Sequence, residues 1–200
     1  MVPAPRLSVL RGDAGSAFRS RDQRRTVSGD NGTVGADVAQ ELAWLTRAIE
    51  LAGDNADVGA RPFGATIALD GKLVGEGVNQ CDVDNDPTAH AEVMAIRAAT
   101  RRLATPRLDG AVLAASTEPC PMCQAAALLA GVSRVIFATT DLEAAERGYD
   151  AREVLADLSR PFSQRRVMAV HHYAVDSESL PYERAAAMCH PATEGDGPCI

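Results

Sequence analysis

The chain predicts an α/β sandwich on a mixed sheet, and three observations carry that prediction. Strand-like runs alternate with helical periods over 111–173, the order that produces parallel crossovers. Two further runs, 63–69 and 72–78, flank Asp70-Gly71, a dipeptide that supplies the positive φ of a tight antiparallel hairpin. An amphipathic period at 37–52 precedes them with one face to bury. The 200 residues suit one domain, and 46% hydrophobic with 24% charged residues is the balance of an ordinary soluble globular protein.

Residues 1–36 read as a disordered extension, rich in Arg, Ser and Gly and without a sustained apolar period. Six Arg against Asp13, Asp22 and Asp30 give +3 there, which leaves −10 for the rest of a chain whose total is −7. The acidic residues argue against a transit peptide, and Arg clusters without interleaved aromatics are ordinarily solvated. From a cap at Asp37, the residues Val38, Leu42, Leu45, Ile49 and Ala52 recur at spacings of 4, 3, 4 and 3 and predict a helix with that stripe buried. Trp44 lies off the stripe, at the rim of the core. After the hairpin, Asn79 stands at a turn.

Asp86-Pro87-Thr88 is a helix-start cluster, and the apolar run through Val93, Met94, Ile96 and Ala99 predicts a helix from Ala89 to about Leu103, with Arg101 and Arg102 favourably at its C-terminal end. A strand at 111–115 follows. Ser116-Thr117-Glu118-Pro119 then turns the chain into a helix opened by Cys120, with Pro121 where a missing N–H costs little, and Gly131 stops it. A strand at 135–139, a short helix at 142–148 and a last strand at 166–173 complete the order. His171 and His172 are ordinary strand histidines, Cys189, His190 and Cys199 free tail residues, and 191–200 a flexible tail. No apolar run approaches the length that crosses a membrane, and five cysteines without a disulfide framework fit a reducing cytoplasm.

The chemistry gathers in His90-Ala91-Glu92 and Glu118-Pro119-Cys120-Pro121-Met122-Cys123. His90, Cys120 and Cys123 offer one imidazole and two thiols, the three-ligand set with which a catalytic zinc keeps its fourth position for water. Zinc acidifies that water to a pKa of roughly 7. Glu92 is better placed to carry the water's proton than to be a fourth ligand. Residues two apart inside a helix point to nearly opposite sides, so His90 and Glu92 converge only within a first turn approached from its end. The alternative, a closed structural zinc site, would want a fourth Cys or His nearby, and none is evident.

These residues form the H-x-E…P-C-x-x-C signature of zinc deaminases. Over roughly 37–175 the chain resembles the cytidine deaminase-like superfamily and, within it, the guanine deaminase and nucleobase deaminase group. The resemblance is carried by Arg61-Pro62-Phe63-Gly64-Ala65, Asn85-Asp86-Pro87-Thr88-Ala89-His90-Ala91-Glu92-Val93 and Cys120-Pro121-Met122-Cys123. Asp-Pro-Thr-Ala-His-Ala-Glu is shared with bacterial tRNA adenosine deaminases, whereas Pro62-Phe63-Gly64 and Pro121-Met122 look more like the guanine deaminase side. The resemblance implies a three-layer α/β/α sandwich around a mixed five-stranded sheet, a deaminase domain over 37–190, zinc on His90, Cys120 and Cys123, proton transfer by Glu92, and a homodimer. It also implies substrate contacts from Asn79, Asp150, Phe63 and Ala91. Tyr149-Asp150-Ala151 departs from the group's Gly-Phe-Asp-Asp segment, since Tyr149 replaces Phe and Ala151 stands where the second Asp would be.

The expected activity is hydrolytic deamination of a free nucleobase, guanine first and then isoguanine, cytosine or a triazine-like ring. A tRNA adenosine-to-inosine deaminase is the alternative, but it should present a basic surface to phosphates, and the chain beyond its N-terminal arm is strongly acidic. A non-catalytic binding subunit would be expected to lose Glu92, which this chain keeps.

Overall fold

The computed structural model describes residues 33–161, 164–166, 168 and 180–188. Helix α1 (Thr33–Asp57) leads into the hairpin β1 (Gly64–Leu69) and β2 (Lys72–Val78), followed by α2 (Cys81–Asp84), α3 (Ala91–Leu103), β3 (Val112–Thr117), α4 (Pro121–Ala130), β4 (Arg134–Thr139), α5 (Asp141–Ala145), α6 (Arg152–Leu158) and α7 (Leu180–Met188). The sheet order is β2-β1-β3-β4. Strand β1 runs antiparallel to both β2 and β3, and β4 is parallel to β3, as the α4 crossover requires. The sheet is therefore mixed, with four strands among the described residues. The strand expected at 166–173 lies outside them apart from Arg166 and Met168, which form bends. The extension 1–32, His171, His172, Cys189, His190 and the tail 191–200 also lie outside.

Asp70 and Gly71 both take positive φ, 49° and 76°, which is the geometry of the tight hairpin turn their sequence announces. Alternate residues of β1 then face opposite ways. Thr66 donates through Oγ1 to the Trp44 carbonyl of α1 at 3.3 Å, while Ala65 and Ile67 join the core cluster with Ala91, Ala95 and Ala99 of α3 and Ala127 of α4. Helix α1 thus covers one face and α3 with α4 the other. No helix among the described residues is long and apolar enough to cross a membrane.

Small residues set how closely these layers approach. A Cβ at Gly77 would run into the Ala91 carbonyl and the Ala95 amide, and one at Gly75 into the Ala95 carbonyl. The strand presses its backbone against α3, which carries the site. Gly64 likewise leaves no room for a side chain against Ala48 and Ala52 of α1.

Helix α1 is longer than its sequence period suggests, and its buried face is rotated. Ala48, Ala52 and Asn55 are buried, whereas Val38, Leu42 and Ile49 are 49%, 56% and 47% exposed. The reason is steric. The close approach at Gly64 falls on the backbone of Ala48 and Ala52 and the Cβ of Leu51, which centres the buried face there and turns Val38, Leu42 and Ile49 outward. Trp44 is half-buried at the rim.

Candidate metal and catalytic site

Two helix N-termini and one strand exit build the site. His90 is the N-cap of α3, with extended φ/ψ of −67° and 152°, and its carbonyl accepts from the Met94 N–H at 2.9 Å. Its imidazole is therefore free to project from the end of the helix, and Glu92 stands in the first turn, where the two can converge. The start cluster acts one step earlier than a cap. Asp86 Oδ1 accepts from the Thr88 N–H at 2.8 Å and from its hydroxyl at 2.6 Å, and Arg97 of α3 reaches the other Asp86 oxygen at 3.4 Å. Cys120 is the N-cap of α4, with Pro121 at its first position and Cys123 on the first turn.

The ligand atoms form a near-equilateral triangle. Cys120 Sγ and Cys123 Sγ are each 3.6 Å from His90 Nδ1 and 3.6 Å from one another. Tetrahedral zinc with bonds of about 2.3 Å to sulfur and 2.0–2.1 Å to nitrogen needs edges of roughly 3.8 and 3.6 Å. The donor set and its spacing fit zinc, and no fourth Cys, His, Asp or Glu joins the group among the described residues. Three protein ligands leave one position open, the arrangement of a catalytic site.

The electrostatics fit the same role. The Cys123 thiol donates to Cys120 and the His90 imidazole lies beside it, which together hold Cys120 down to about 4. Cys123 is pushed up because it keeps the shared proton against its neighbour and is itself buried. His90 is raised by its bond to Cys120. Metal binding must release the proton that Cys123 retains. Glu92 is 8% exposed, and burial pushes its carboxyl up while it bonds to Cys123.

Around this centre the other expected contact residues divide. Asn79 is 4% exposed and sits directly after β2. Its Oδ1 accepts from the Cys81 N–H at 3.2 Å, which points Nδ2 away as a donor. Phe63 meets Tyr149 edge to face with ring centroids 5.1 Å apart. Ala91 is buried in the core cluster, so its side chain serves packing. Asp150 is exposed, and Arg152 engages it through the backbone N–H at 3.0 Å, Nε at 2.8 Å and Nη2 at 2.6 Å, which holds its carboxyl down to about 2.

Three neighbours of the site have no role in the sequence reading. Arg61 pairs bidentately with Asp82 of α2 at 2.8 and 2.9 Å. Asn55, near the end of α1, donates to the backbone carbonyls of Arg61 and Asn79. Its signal was available: it stands three residues after Ala52 and seven after Ala48, a polar residue in register with a buried alanine face.

Residues 38–139 match the cytidine and deoxycytidylate deaminase zinc-binding region. The chain is 43% identical over 126 residues to the guanine deaminase of Bacillus subtilis, spanning 62% of this chain and 80% of that one. The crystal structure of Bacillus subtilis guanine deaminase superposes with a TM-score of 0.70 at 34% identity, covering 76% of this chain and 96% of the other. The tRNA-specific adenosine deaminase of Aquifex aeolicus is 42% identical over 83 residues, 42% of this chain and 55% of that one.

Proposed function

Because the chain belongs to the cytidine and deoxycytidylate deaminase zinc-binding family and is thereby a zinc-dependent deaminase, we propose that it hydrolyses the exocyclic amine of a free nucleobase, guanine foremost, and releases ammonia. The observation that carries this reading is 43% identity sustained over 80% of a guanine deaminase, against 34–42% identity over 55–65% of tRNA-specific adenosine deaminases. The family resemblance further supports a three-layer sandwich with five strands, a deaminase domain over 37–190 and a homodimer.

Zinc held by His90, Cys120 and Cys123 would supply an acidified water and a polarising charge. Glu92 is assigned the proton. Buried beside Cys123, its carboxylate would accept one proton from the water and pass it to the ring nitrogen beside the reacting carbon. It would then take the second from the hydroxyl added to that carbon and pass it to the amine as the C–N bond breaks and ammonia leaves. Asn79 Nδ2 is assigned a hydrogen bond to the edge of the ring, and Phe63, steadied by Tyr149, an apolar wall against its face. Ala91 can contribute only its backbone N–H, one of the unpaired first-turn donors of α3. Asp150 would reach a ring N–H only by leaving Arg152.

The test is ammonia release from zinc-loaded protein over guanine, isoguanine, cytosine, a triazine and the matching nucleosides. Turnover of at least one free base is expected. Inertness toward every base, with conversion of adenosine to inosine in a tRNA anticodon stem-loop, would replace this reading with the one that the Aquifex similarity favours.

A further inference from the structure

We propose that Asn55 is a positioning residue that fixes the two substrate-facing chain ends, Phe63 before β1 and Asn79 after β2, relative to one another. Its side chain is 9% exposed, and Nδ2 donates to the Arg61 carbonyl at 2.7 Å and to the Asn79 carbonyl at 3.0 Å. Both partners are carbonyls, so only the amide nitrogen can face them, and both of its hydrogens are used. The bonds continue from there. The Asn79 N–H donates to the Phe63 carbonyl at 3.0 Å, Asn79 Oδ1 takes the Cys81 N–H, and the Gln80 N–H donates to the Ala89 carbonyl at 2.9 Å, one residue before His90.

Asn79 and Phe63 lie just outside the paired strands, joined to one another by the single bond from the Asn79 N–H to the Phe63 carbonyl. Asn55 adds a second closure, from α1, by holding the Arg61 and Asn79 carbonyls together. It touches none of the reacting groups. Its effect passes through Asn79, whose donor bonds to ground state and transition state alike, so loss of the clamp should appear in KM and not in kcat.

The inference rests on the free-base reading for the ligand that Asn79 meets, and Asn55→Asp in the full-length, zinc-loaded chain separates the two. The carboxylate keeps the shape but cannot donate. Wild-type zinc content, a rise in KM of roughly tenfold or more for whichever base the wild type turns over, and kcat within about threefold are expected. An unchanged KM, or kcat falling as steeply as kcat/KM, would overturn it. Should that variant not fold, Asn55→Ser, which keeps one donor for two acceptors, is read on the same scale. If the wild type itself turns over no base, the functional reading fails first, and amide exchange decides the clamp: faster exchange at Asn79 and Cys81 in either variant upholds it, and wild-type exchange ends it.

Discussion

Cys123 is fully buried on the first turn of α4, so Cys123→Ala removes a zinc ligand without a surface substitute. Elemental analysis should find the zinc gone after dialysis, and full retention would take this residue out of the site. Glu92→Gln separates binding from chemistry. It should keep one zinc per chain, yet turnover should drop by roughly 10²–10⁴-fold, the usual worth of a positioned proton carrier. At this scale the sequence was legible wherever residue type alone limits the chemistry. Zinc tolerates few donor sets, and His90, Cys120 and Cys123 stand at spacings that two helix starts can satisfy. It was silent on Asp82 and gave Asn55 only as a polar residue in register with Ala48 and Ala52, because the roles of both depend on carbonyls and cations contributed from elsewhere in the fold.

The elements were legible where the local code is strict, as at the Asp70-Gly71 turn and the Gly131 stop, and less so where packing chose the face. The apolar stripe of α1 predicted burial of Val38, Leu42, Leu45, Ile49 and Ala52; Ala52 is buried and Leu45 half-buried, but Val38, Leu42 and Ile49 are exposed because the close approach at Gly64 falls on Ala48, Leu51 and Ala52. Paired substitutions test that rotation by thermal or urea unfolding. Leu42→Ser should shift stability by no more than about 0.5 kcal/mol, whereas Ala48→Leu should cost roughly 1–3 kcal/mol through overpacking. The segment between β2 and α3 offers a second test. Asp82 is held below its ordinary 3.8 by the bond from Arg61, and Asp86 chiefly by Thr88. A carboxyl whose folded pKa is depressed contributes fully above the unfolded value and loses its contribution as pH falls through the folded one. Amide exchange over 80–89, corrected for its intrinsic pH dependence, should therefore hold steady above pH 4 and quicken only below it.

Across the whole molecule, charge and substrate size should act together. The chain carries −7 overall, and its first 35 residues hold +3 of the opposite sign. A surface of that balance disfavours a polyanion, whose capture by cations weakens steeply with salt. A neutral ring gripped by an apolar wall and a few hydrogen bonds has no such dependence, so kcat/KM for the free base should change less than about twofold between 50 and 200 mM salt. The two helix starts that converge on the triad bring a consequence for folding as well. His90 and Cys120 are thirty residues apart, and an ion joining them closes that loop as a disulfide would. On the loop-entropy scale such a cross-link restrains the unfolded chain by roughly 3–4 kcal/mol. The cation needed for turnover is thus also a clasp between α3 and α4, and a chelator should lower the melting temperature before any substrate is added.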